Sequence, residues 1–295
     1  MNWTTERANA NTSDIDKLPV PEALKLINSE DAKVAEAVQA ALPDIARAVE
    51  TIVAALEAGG RLFYVGAGTS GRLGMLDAAE CLPTFSAPPE LVQGLIAGGA
   101  DAMLRSIEGA EDDPAAAADD LRARGITSAD VVCGIAASGR TPYVIGALQF
   151  ARSIGAQSIA IACNLETPVA ALADIAISVD VGPEVIAGST RLKAGTAQKM
   201  ILNMLSTASM IGLGKVYGNL MVDVKVSNAK LLARAIGLVM HLTELDEAAA
   251  RRLLGSARNE VKTAVVMQRR GVDYAEARQL LQAAKGRLRG AIGDS

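Results

Sequence analysis

Three times along this chain a short apolar run gives way to a loop of glycines, hydroxyls and a cation, and each loop opens a helix. In the first, residues 62–65 read as a buried strand that breaks into Gly66-Ala67-Gly68-Thr69-Ser70-Gly71-Arg72. A helix is expected over 73–80, stopped by Pro83. In the second, the run 131–137 breaks into Ser138-Gly139-Arg140-Thr141, with Pro142 suited to the first turn of the next helix, where its missing N–H costs nothing. In the third, Gly188-Ser189-Thr190-Arg191-Leu192-Lys193 leads into an apolar helix expected over 190–213. Further strands are expected at 91–96, 158–163 and 175–181, with helical stretches between most of them. That alternation predicts an α/β fold whose sheet is largely parallel and covered on both faces. Ligands of such sheets lie beyond the carboxyl ends of the strands, where all three loops fall.

The first turn of each following helix offers unpaired N–H groups and a partial positive charge, an arrangement suited to an anion. Gly66, Gly68 and Gly71 also spell the spacing of a dinucleotide loop. That reading needs a second strand ending in an acidic residue about 20 positions on. The candidate, Glu90, follows Ser86-Ala87-Pro88-Pro89, which is no central strand. Thr69, Ser70 and Arg72 suit a compact phosphate monoester with donors on several sides. Taken alone, the first loop leaves a sugar phosphate, a nucleotide and a purely structural turn open; three such loops at strand ends are far more specific than one.

At a formal net charge of −4, neither nucleic acid nor an anionic membrane is expected as the main partner. No apolar run reaches the roughly 18 residues of a membrane span, and the polar N-terminus does not resemble a secretory signal. Cys81, Cys133 and Cys163 are scattered and odd in number, as reduced thiols in a cytoplasm would be. The single histidine, His241, sits on a helical pattern far along the chain from the loops. A histidine metal cluster is thus excluded by count, and proton transfer falls mainly to carboxylates, lysines or tyrosines.

Residues 1–20 read as extended or irregular, and two or three helices lead from Pro21 to the stop at Gly59-Gly60. The segment Glu108-Gly109-Ala110-Glu111-Asp112-Asp113 crowds four carboxylates. Asp112 or Asp113 fits the cap of the following helix; Glu108 and Glu111 are not so easily accounted for, and their spacing would put them on one helical face. The tail reads as three short amphipathic helices at 246–254, 259–269 and 274–281, capped last by Gly271-Val272-Asp273. The expected division is an N-terminal segment with helices (1–50), a sugar-phosphate-binding domain (51–220), and a helical linker with a three-helix module (221–295).

Five stretches together resemble the bacterial N-acetylmuramic acid 6-phosphate etherases: the loop 66–72, Asp77-Ala78-Ala79-Glu80-Cys81, the acidic segment 108–113, the segment 137–143, and 188–199. The resemblance runs over nearly the whole chain. It departs from the family at Arg7-Ala8-Asn9-Ala10-Asn11 and at Pro19-Val20-Pro21, both outside the expected chemistry. It implies a flavodoxin-like sugar isomerase (SIS) domain with N-terminal helices and a small ubiquitin-associated-like helical tail. It also implies cleavage of a lactyl ether without metal or redox cofactor, giving N-acetylglucosamine 6-phosphate and D-lactate in the recycling of murein amino sugars.

By motif, Glu80 matches the family's acid at the departing oxygen and Glu111 its second catalytic glutamate, the expected base at C2, with Glu108 a rival. Gly68, Thr69, Ser70, Arg72, Ser138, Gly139, Arg140, Thr141, Ser189, Thr190 and Lys193 are the expected sugar-phosphate contacts. Glu80 lies about 13 Å along a helix from Gly71, at 1.5 Å per residue, so the site is expected to be completed at a homodimer interface. A sugar-phosphate isomerase or a sugar-phosphate sensor on the same fold remains the alternative; the pair Glu80 and Glu111 is what separates an etherase from either.

Overall fold

The computed structural model describes residues 3–294. Residues 1, 2 and 295, the outermost positions of the expected segments 1–50 and 221–295, lie outside the described residues. The chain divides into two compact units. One holds the described residues up to Ala79 together with Glu90–Ser206; the other holds Glu80–Pro89 and the described residues from Thr207 onward.

The first unit begins with three short 3-10 turns, Thr4–Glu6, Ala10–Thr12 and Ile15–Lys17, where an irregular segment was expected. They are tied down over long range: Thr12 Oγ1 donates to Val185 O (2.8 Å), and Asn9 Nδ2 to Pro183 O (3.1 Å) and to Glu30 Oε2 (3.0 Å). Three helices follow, α1 (Val20–Asp31), α2 (Lys33–Ala40) and α3 (Leu42–Glu57). Ile45, Ala48, Ile52 and Leu56 put the buried stripe of α3 at three- and four-residue steps.

The sheet then alternates with helices: β1 (Leu62–Gly66), α4 (Gly68–Phe85), β2 (Val92–Ile96), α5 (Pro114–Ala123), β3 (Val131–Ile135), α6 (Pro142–Ser153), β4 (Gln157–Ala162), α7 (Pro168–Leu172), β5 (Ile175–Ser178) and α8 (Lys193–Gly212). All five strands are parallel in the order β2-β1-β3-β4-β5, with Leu62 opposite both Val92 and Val131. Every residue of β1 and β3 is buried, as the continuous apolar runs demand. Phe63, Val65, Val132 and Ala160 pack with Leu121, Tyr143, Val144 and Leu148 in the core on one side.

Three expectations need correction here. The helix after the first loop starts in the loop itself, at Gly68, and runs through Pro83 to Phe85. A proline near the end of a helix removes one ladder bond, and the last turn closes around it: Ser86 N donates to Leu82 O at 3.0 Å. The third loop keeps its turns to Leu192, so α8 starts at Lys193. Along α8, Thr196 and Asn203 are exposed, while Ala197, Ile201, Leu202 and Leu205 are buried.

In the second unit α9 (Ala229–Thr243), α10 (Glu247–Ser256), α11 (Val261–Arg270) and α12 (Tyr274–Ala283) are followed by a fourth tail helix, α13 (Leu288–Ile292), where three tail helices were expected. Asn228, Asp246 and Asp273 cap α9, α10 and α12 through their side chains. Val239, Leu254, Val265, Leu281 and Leu288 form one core, to which α13 contributes Leu288. His241 is exposed on α9, in the unit that carries none of the three loops.

Candidate active site

In a sheet of this order the chain leaves β1 towards β2 and leaves β3 towards β4, which opens a crevice between the ends of β1 and β3. The first loop closes one wall of it. A side-chain carbon on Gly71 would sit 2.7 Å from Gly66 O, and one on Gly66 would sit 2.7 Å from Gly71 N. Only glycine at both positions lets the first turn of α4 lie directly on the end of β1. Among the described residues no hydrogen bond takes up the amide N–H of Thr69 or Ser70, so the start of α4 presents open donors. The strand β2 ends at Ile96, followed by Ala97-Gly98-Gly99, with no carboxylate to hold a ribose; the dinucleotide spacing is a coincidence of close packing.

The two other loops differ in kind. The start of α6 carries no side-chain cap, so the hydroxyl of Thr141 is uncommitted there. Gly139, at φ +71°, lies against Thr167, whose Cβ would be 2.3 Å from an added side-chain carbon. The start of α8, by contrast, is already closed: the fully buried carboxylate of Glu184 accepts from Lys193 N and Ala194 N, both at 2.9 Å. Lys193 departs further from its expected role. It is 1% exposed and its ammonium donates to Glu30 Oε2 at 2.8 Å, which commits the charge to an internal pair instead of an incoming phosphate. Ser189 and Thr190 are half-buried in the loop before it.

Glu30 is the hub of that pair. Burial pushes its carboxyl up, but Lys193, Lys33, Asn11 and Asn9 all donate to it and together hold it down at about 2.

Helices α4 and α8 start side by side and run the same way. Ser70 Oγ donates to Gln198 Oε1 (2.9 Å), and two turns on Ser206 Oγ donates to Asp77 Oδ1 (3.1 Å). Gln198 is fully buried and its Nε2 has no partner among the described residues. Sequence reasoning missed Gln198 as the holder of Ser70; the only signal was its place inside the third cluster. It also missed the N-terminal segment. Arg140 donates to Glu6 Oε1 (3.1 Å) and its guanidinium lies 5.0 Å from the centre of the Trp3 ring. Asn164 Nδ2 donates to Thr5 Oγ1 (2.9 Å) and Ser138 O (3.3 Å), stitching the same segment to the second loop.

Beside the first loop lies a cavity of about 220 Å³ whose lining includes Gly68, Arg72, Arg105, Glu108 and Glu111. Glu111 sits in the 3-10 turn Ala110–Asp112, entered through Gly109 at φ +74°. Glu108 and Glu111 therefore share the cavity through a turn and not through a helical face, which corrects the expected geometry. Asp113 caps α5, its Oδ1 accepting from Ala115 N and Ala116 N at 2.8 and 3.2 Å. Glu80 is exposed on the stretch of α4 that belongs to the second unit. Among the described residues no group of three or more His, Cys, Asp or Glu could hold a metal ion.

Comparison with known proteins decides the family. A protein of Rhizobium rhizogenes named N-acetylmuramic acid 6-phosphate etherase is 58% identical over 288 residues, covering 98% of this chain and 94% of its own length. One so named from Salmonella enteritidis PT4 is 54% identical, covering 98% and 97%. This chain belongs to the N-acetylmuramic acid 6-phosphate etherase family.

The chain also matches three family models: the glucokinase regulatory protein N-terminal SIS domain over residues 44–152, the SIS domain over 110–208, and the C-terminal lid domain of glucokinase regulatory protein over 218–257. Its sheet is like that of a phosphoheptose isomerase from Neisseria gonorrhoeae (TM-score 0.52, 19% identity, 65% of this chain and 98% of that one). A phosphoheptose isomerase from Francisella tularensis is similar too (TM-score 0.51, 21% identity, 64% and 98%). At these identities the likeness is one of fold. The expected SIS architecture, with helices before it and a helical module after it, is the one found.

Proposed function

We propose that this etherase cleaves the lactyl ether of N-acetylmuramic acid 6-phosphate and releases D-lactate and N-acetylglucosamine 6-phosphate. The observation that carries the reading is the shared cavity of Glu111 and the first loop, in a chain of this family. Ring opening to the aldehyde makes the C2 hydrogen acidic. Glu111 takes that proton, the electron pair becomes the C2–C3 double bond, and the C3–O bond breaks. Glu80 gives a proton to the departing lactyl oxygen. Water then adds: Glu80, now a carboxylate, takes a proton from it, the hydroxyl bonds to C3, and Glu111 returns a proton to C2. The open amides of Thr69 and Ser70, with Ser138 and Thr141, are assigned to the phosphate.

Incubating the purified protein with N-acetylmuramic acid 6-phosphate and EDTA should yield D-lactate. Binding of the sugar phosphate without lactate would support a sensor instead, and neither binding nor lactate would mean that the pocket serves another phosphorylated sugar. Among the described residues no helix is long and apolar enough to cross a membrane. We place the reaction in the cytoplasm, because a sugar phosphate that also carries a carboxylate does not cross a bilayer unaided.

We further propose that a homodimer completes the site, because Glu80 lies well along α4 from the first loop. Activity per subunit should fall when sedimentation shows the protein diluted to monomers; monomers with full activity would defeat this proposal.

A further inference from the structure

We infer that Arg72 receives the lactyl carboxylate of the substrate and is a specificity-determining residue, not a phosphate ligand; this rests on the etherase reading above. The substrate carries two anions at different distances from the reacting carbons. The lactyl carboxylate carbon is three single bonds from C3, so it lies no more than about 4 Å away. The phosphorus is five bonds from C3, on the far side of C4 and C5. A base acting at C2 therefore has the carboxylate, and not the phosphate, for its near neighbour. Glu111 shares its cavity with Arg72.

The guanidinium of Arg72 is fixed in a particular way. Nε donates to Met103 O (3.3 Å) and Nη2 to Arg105 O (3.2 Å), both carbonyls of the segment that follows β2. These two bonds use the side edge of the guanidinium and hold it rigid. Its end edge, Nη1 and the second hydrogen of Nη2, has no partner among the described residues, while the side chain lines the cavity. Two parallel N–H groups with a fixed plane match the two oxygens of a carboxylate.

Charge bookkeeping separates Arg72 from its neighbour. Arg105 is paired with Asp101 at 3.0 Å, whereas Arg72 makes no ion pair among the described residues. Glu108 and Glu111 would repel a third carboxylate entering the same cavity, and an uncompensated cation there removes that obstacle. The phosphate has other donors assigned to it: the amides at the start of α4 and the hydroxyls of Ser138 and Thr141, which follow β3, the strand on the opposite side of β1 from β2. Fixing the carboxylate also fixes the C3–O bond relative to Glu111, so the contact serves the elimination as well as selection.

The test compares two ligands that share the phosphate and differ in the lactyl group. In the full-length Arg72→Met protein, kcat/KM for D-lactate release should fall on the order of 100-fold. Arg72→Lys, which keeps the charge without the fork, should recover part of it. Affinity for N-acetylglucosamine 6-phosphate, measured by calorimetry, should stay within about threefold in both variants, and inhibition by added D-lactate should disappear in Arg72→Met. A parallel loss of N-acetylglucosamine 6-phosphate binding in Arg72→Lys would overturn the inference, returning Arg72 to the phosphate or to a purely structural part. Unchanged lactate release would overturn it as well. Failure of the etherase reading has a different signature, since the unsubstituted protein would then release no lactate.

Discussion

Replacing Glu80 with glutamine is expected to abolish D-lactate release while the protein still folds and still binds the sugar phosphate. An alkoxide leaving group is poor, so the proton that reaches the lactyl oxygen is worth a large share of the rate, about 10² to 10⁴-fold for a positioned general acid. Glutamine keeps the shape and can donate a hydrogen bond, but it cannot part with a proton. Glu80 is exposed on a helix of eighteen residues, so its loss should change stability by no more than about 0.5 kcal/mol. Exchange of the C2 hydrogen in deuterated water distinguishes the two carboxylates. Glu80→Gln should still exchange, because removal of that proton belongs to Glu111, and Glu111→Gln should not. If lactate release survives in Glu80→Gln, Glu80 is a solvated surface residue and the acid lies elsewhere.

The second large effect is on stability and involves no substrate. Glu30 is 3% exposed and neutralises Lys193, which is 1% exposed. Glu30→Gln strands a buried ammonium, at a cost of about 3–5 kcal/mol. Its pH dependence has a definite sign. The folded-state value of about 2 lies below the ordinary 4.5. The stabilisation is therefore fully present above about pH 4.5 and is lost as the pH falls through about 2, some 3 kcal/mol in all. Urea melts at pH 7 and pH 3 should show the unsubstituted protein weakening on acidification far more than Glu30→Gln. Equal slopes would mean that the carboxylate is not held by its donors. Pairing the substitution with Lys193→Met, which removes the stranded charge, should restore much of the loss.

What could be read from the chain beforehand follows the range of the interactions involved. The strands at β1, β3 and β4, the parallel sheet and the proline at the start of α6 are written in runs of a few residues, and they are where they were expected. The contacts that shape the candidate site join residues far apart: Ser70 with Gln198, Thr5 with Asn164, Glu30 with Lys193. No local period reports such pairs. Lys193 looked like a phosphate ligand because a lysine beside Ser189 and Thr190 in a loop suggests one; only the tertiary fold brings Glu30 to it. Pro83 misled in the opposite direction, since a local rule about prolines in helices gives way when a single ladder bond is lost near the end. Glu108 and Glu111 stood out as carboxylates, yet the left-handed Gly109 between them makes a turn where helical spacing was assumed.

The chain has a single tryptophan, and its ring lies on the guanidinium of Arg140, which Glu6 also holds. Excitation at the red edge of the aromatic band, where the tyrosines do not absorb, therefore reads one loop of the whole molecule without any label. The indole of Trp3 sits in the field of a cation whose counter-charge is a half-exposed carboxylate, so any anion that competes with Glu6 for Arg140 changes the colour of that emission. The protein carries its own optical gauge at the β3 end of the crevice.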